Sequence, residues 1–117
     1  MKVPPDLQSL LGNPVSGVAF VQDYVEIHFD GAILRALTPL TVTCGSKRSQ
    51  LGEPGFCNLL RELIGKSVSQ VTEFKNDRIE VFFGSKCSLR IPIDEASRTT
   101  HETAHFLAEH GGPLSVW

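Results

Sequence analysis

The stretch HETAH, residues 101–105, is where the residue types of this chain could do chemistry. On a helix, two histidines four apart can aim both rings at one Zn²⁺, while a glutamate after the first activates a bound water. His101 and His105 would be the ligands and Glu102 the base, with Glu109 as a third ligand one turn beyond His105. The extended zinc-protease pattern needs Gly where Ala108 stands and His where Gly111 stands, and His110 misses by one position. Three ligands on one short terminal helix also leave no walls for a substrate cleft. Zinc-dependent hydrolysis is therefore the alternative function, with zinc as a cofactor only under it. No catalytic or cofactor-binding residue is otherwise assigned. A second set, Glu26, His28 and Asp30, would share one strand face at spacing two, and reads more simply as a solvated outer face.

Which reading of HETAH holds depends on the element that carries it. Thr99 could cap a short helix with Glu102 completing a capping box. Preferred here is a strand reading, in which AHFLA and LSVW flank the turn EHGG, with Phe106 and Trp117 as core aromatics. On a strand His101 and His105 still share a face, but Glu102 turns to the other side.

The organisation of the rest follows from an internal repeat. Leu7, Leu10, Gly12, Val15, Ser16 and Val18 match Leu60, Leu63, Gly65, Val68, Ser69 and Val71 at one offset, 53 residues. One added residue near Arg78 brings Val25, Glu26, Ile27 and Phe29 onto Ile79, Glu80, Val81 and Phe83, and a second brings Leu34-Arg35 onto Leu89-Arg90. Both additions fall at turns, which absorb length changes more readily than paired strands. Leu7, Leu10 and Leu11, and later Leu59, Leu60, Leu63 and Ile64, recur at helical spacing and stop at a glycine. Beyond each glycine the period changes to two, with Asp30-Gly31 and Gly84-Ser85 as hairpin turns.

The pattern predicts an α+β fold. It comprises two pseudo-symmetric helix-plus-three-stranded-meander repeats and a C-terminal hairpin, in a mostly antiparallel sheet or partly closed barrel. The whole chain, 1–117, reads as a single domain, with repeat 1 at about 5–43, a linker loop at 44–55, repeat 2 at about 56–95 and a C-terminal segment at 96–117.

Composition bounds the partners. With 41% hydrophobic and 21% charged residues the chain is of globular type, and no apolar run has the length of a bilayer span. A net charge of −2 with scattered basic residues gives no field to draw in nucleic acid or an anionic membrane. The N-terminal residues contain no apolar stretch of signal-peptide length, so a cytoplasmic location is expected. Cys44, Cys57 and Cys87 form no C-x-x-C pair and no even framework, which predicts three reduced thiols.

The twin LLG-x-x-V and LIG-x-x-V segments, the strand-turn IHFDG and the ending ETAHF followed by VW resemble small bacterial two-repeat proteins of uncharacterised function, some of them immunity-type or accessory proteins. The resemblance covers most of the chain, and its motifs are structural. It implies that Glu102, Ala104 and Phe106 belong to a family ending, E-x-A-x-F, that does not require the flanking histidines. The expected function is a non-enzymatic binding or accessory role through protein–protein recognition. The partner would be another protein or a second copy, as in a homodimer.

Overall fold

The computed structural model describes residues 6–22, 24–97, 102–108 and 114–117. A 3-10 turn, Leu7–Leu10, leads into a meander of β1 (Gly17–Val21), β2 (Tyr24–Phe29) and β3 (Ala32–Ala36). A hairpin of β4 (Thr41–Cys44) and β5 (Lys47–Gln50) follows, then one helix, α1 (Phe56–Arg61). A second meander comprises β6 (Val68–Phe74), β7 (Arg78–Phe83) and β8 (Cys87–Pro92), and a last hairpin β9 (Ala104–Leu107) and β10 (Leu114–Val116). The stretch 44–55 thus contains β5 and the turns around it.

Period-two alternation dictates the strands. In β2, Val25, Ile27 and Phe29 are buried while Tyr24, Glu26 and His28 are half-buried, and β7 repeats the pattern with Ile79, Val81 and Phe83. Asp30 and Gly31 both have positive φ, 53° and 112°, as a two-residue hairpin turn requires.

The α+β expectation is overturned. Of the described residues, 51% are strand and 13% helical, so the class is mainly antiparallel β. The strands form two open five-stranded sheets, ordered β1-β2-β3-β9-β10 and β5-β4-β8-β7-β6, not a closed barrel. The leucine spacing in each copy supplies chain for one or two helical turns at most. Asp6 accepts from the Gln8 backbone N–H and starts a turn at Leu7, but Gly12 at φ 83° ends the apolar run. Helix nucleation is costly, and one or two turns recover little of that cost without tertiary packing. The first copy therefore keeps one 3-10 turn with Leu7 and Leu10 buried, and the second a six-residue helix.

Two features organise the molecule about a local twofold. The Gly12 N–H donates to the Val68 carbonyl and the Val15 N–H to Lys66; conversely Gly65 donates to Val15 and Val68 to Asn13. These four bonds interchange under the 53-residue offset, around the Pro14–Ser67 bridge. The hairpins are also exchanged: β4, which follows the first meander, pairs with β8 of the second, and β9, which follows the second, pairs with β3 of the first. The first crossing is held by buried Thr38, whose hydroxyl donates to the Pro92 carbonyl at 2.5 Å. Inner-face residues of both sheets, with Leu7, Leu10, Phe56, Leu60 and Leu63, join in one buried cluster.

The expectation of three free thiols is corrected too. Cys44 and Cys87 face each other across β4 and β8, with Cα atoms 4.1 Å apart, and form a disulfide. Cys57 is free and exposed. A separation of 43 residues carries no local signal, because the exchanged hairpin alone brings the two together.

Candidate functional site

Register aligns Ala19, Glu26, Arg35, His105 and Val116 in one row across the outer face of the first sheet. Their neighbours Val25, Leu34 and Phe106 point the other way, into the core. Opposed positions on adjacent strands lie close enough for side chains to pair directly. Here the row becomes a hydrogen-bonded chain. His28 Nε2 meets Glu26 Oε1 at 3.1 Å. Arg35 reaches Glu26 Oε2 through Nε at 3.0 Å and Nη2 at 2.9 Å. The Arg35 Nη1 contacts His105 Nδ1 at 3.0 Å, and His105 Nε2 contacts Glu102 Oε1 at 2.9 Å. The Arg35 guanidinium also lies 5.0 Å from the centroid of the Tyr24 ring, within cation–π range.

The partners fix the His105 tautomer. A guanidinium only donates, so Nδ1 accepts from Arg35, leaving Nε2–H to donate to the Glu102 carboxylate. His105 is 9% exposed, and both its ring nitrogens are engaged. A zinc ligand or general base needs a free nitrogen lone pair, whereas here the lone pair is directed at a cation. Residues 104–107 are strand, so the helical geometry behind H-E-x-x-H is absent from the part of the motif that is described. His101 and Glu109 lie outside the described residues. Glu26 and His28 are in contact, while Asp30 sits in the turn with its backbone N–H donated to Ser16 Oγ. Among the described residues no three His, Cys, Asp or Glu side chains gather as a metal site.

Arg35 and Tyr24 were invisible as site residues in the sequence. The available signal was the repeated pairing of Glu26 with Arg35 and Glu80 with Arg90, since a charge pair kept on the outer face of both copies implies a cross-strand contact.

Burial by itself would raise the Glu26 carboxyl, but hydrogen bonds from Arg35 and His28, reinforced by their charges, outweigh it and hold the group below the usual carboxylate range. A carboxyl depressed in the folded state adds stability above its unfolded value, and that stability is lost as pH falls through the folded one. Urea melts between about pH 5 and pH 3 should therefore show a steeper acid loss for the wild type than for Glu26→Gln. Parallel pH dependences for the two would show that the Glu26 contact contributes nothing.

The margins of this face are apolar. Val21 on β1 and Leu114 and Val116 on β10 are 42%, 39% and 46% exposed. Among the described residues no helix is long and apolar enough to cross a membrane. Compared with protein-family models, with curated proteins and with solved structures, the chain matches none.

Proposed function

We propose that the protein is a non-enzymatic binding module of the bacterial immunity or accessory type, acting through protein–protein recognition at the outer face of its first sheet. The observation that carries this reading is the Glu102–His105–Arg35–Glu26–His28 chain, which locks an arginine beside a tyrosine in the middle of a face with apolar margins. Arg and Tyr are enriched where interfaces concentrate their binding energy, and anchors already immobilised lose little entropy on association. The exposed apolar side chains at its two margins, Val21 on one and Leu114 and Val116 on the other, add area that association would remove from water.

The partner this face fits is a second copy of the chain. Across the five strands its row runs apolar, acid, base, histidine, apolar, through Ala19, Glu26, Arg35, His105 and Val116. Turned over about an axis along the strands, the row sets apolar margin on apolar margin, as a twofold dimer needs, while at the centre the two Arg35 side chains face each other with their charge offset by their own Glu26. Sedimentation equilibrium should show a concentration-dependent dimer that Val116→Asp disrupts and Ile64→Asp, at an exposed turn outside this sheet, does not. A monomer throughout removes the second copy as partner. In that event cross-linking in cells, compared among the wild type and the same two variants, tests a foreign partner, and identical adducts from all three would refute the assigned face.

The cytoplasmic location expected from the sequence carries a condition. There the glutathione and thioredoxin pools would hold Cys44 and Cys87 as a dithiol, whereas an oxidising compartment would keep the bond closed. The mass of protein alkylated during extraction distinguishes the two.

A further inference from the structure

The local twofold gives the second sheet an outer row equivalent to the one just described, and the two rows differ in what they leave unpaired. Thr72, Glu80, Arg90, Thr41 and Gln50 align as Ala19, Glu26, Arg35, His105 and Val116 do. In the first sheet Arg35 is held by an acid on one side and a histidine on the other. In the second, Glu80 is taken by Arg78, whose Nε lies at 2.8 Å, and Arg90 is left 4.0 Å away. Thr41 stands where His105 would be and makes no side-chain bond to Arg90. The next row along the strands is Gln70, Phe82, Ser88, Thr43 and Arg48. Thr41, Thr43 and Ser88 are half-buried. Neither their hydroxyls nor the Arg48 guanidinium has a hydrogen-bond or ion-pair partner among the described residues.

These side chains line a groove of about 310 Å³, floored by Phe82. It continues past Thr41 and Arg48 into a space of about 390 Å³. The acids around it are already engaged: Glu80 and Asp77 with Arg78, and Glu53 through Oε1 with the Gln50 backbone N–H. Arg48 and Arg90 stand two strands apart and two residues apart along them, about 12 Å between Cα atoms, with Thr41 and Thr43 on the strand between. Two guanidiniums flanking three uncommitted hydroxyls offer more donors than the two oxygens of a carboxylate use, and they match the charge and acceptor count of a phosphate.

We propose that this groove is a binding site for a phosphate monoester of a small molecule, the phosphate seated between Arg48 and Arg90 on the hydroxyls of Thr41, Thr43 and Ser88. Its position on the opposite sheet makes it independent of the recognition face.

Amide chemical shifts followed during titration with inorganic phosphate test the site, with sodium acetate and sodium chloride at matched ionic strength as controls. Phosphate at about 10 mM should shift Thr41, Thr43, Arg48 and Ser88 saturably, in the range expected for a single small anion. Arg48→Gln should weaken this about tenfold, as loss of a charge-assisted pair does. Because Arg48 is exposed and has no partner among the described residues, that variant should melt at the wild-type temperature without phosphate and gain no stabilisation from it. Equal shifts with acetate, shifts scattered over both sheets, or unchanged binding in Arg48→Gln would each overturn the assignment.

Discussion

Reducing the Cys44–Cys87 bond, or replacing both cysteines by alanine, should lower the stability of the protein by about 4 kcal/mol, moving the urea midpoint by roughly 2 M. The bond joins positions 43 residues apart, and cross-linking a loop of that size removes closure entropy from the unfolded chain. Little of the loss should come from the folded state, because Thr41 to Cys44 remain paired with Arg90 to Cys87 whether or not the sulfurs are bonded. The bond also fastens the hairpin that follows the first meander to the meander of the second copy, beside the backbone pairing that unites the two halves. Cys57→Ala is the control, and should stay within about 0.5 kcal/mol of wild type as an exposed change does. Superimposable urea curves for oxidised and reduced protein would refute this account.

What could be read from the sequence was local, and what could not was set by contacts distant along the chain. Val25, Ile27 and Phe29 announce a strand by alternation, and Asp30-Gly31 announces the turn after it, because both signals lie within a few residues. The 53-residue offset was equally visible, since duplicated glycines and valines need no folding to be compared. The first copy shows no α-helix because Leu7, Leu10 and Leu11 satisfy a helical spacing that one buried 3-10 turn satisfies as well. The reciprocal hairpins were hidden for another reason: nothing in Thr41 to Gln50 says which meander it will join. Both the disulfide and the site depend on that choice of partner. His105 meets Arg35, a neighbour 70 residues away, only because β9 returns to the first sheet, so a histidine that scans as part of a zinc motif becomes the acceptor of a guanidinium.

Deleting Leu114 to Trp117 should cost about 3–5 kcal/mol, comparable to losing one large buried aromatic. Three contributions add up there. β10 pairs with β9 from Leu107 to His105 and covers its outer edge. The Trp117 backbone accepts from Thr103 at 2.5 Å and donates to Ala104 at 3.0 Å, closing the sheet beyond the last strand pair. The indole packs, partly buried, against the core. His105→Gln is the informative comparison. A solvated histidine would be replaced at a cost under about 1 kcal/mol, as surface changes usually are. The structure places His105 between Arg35 and Glu102, and a glutamine cannot reproduce both contacts of the imidazole, so the cost should rise to about 1–2 kcal/mol. Running each urea melt with and without a chelator separates this role from the metal one. A chelator should leave wild type, His101→Gln and His105→Gln unchanged. If it lowers the stability of the wild type alone, zinc holds this segment together, and the Arg35–His105–Glu102 chain is not what positions it.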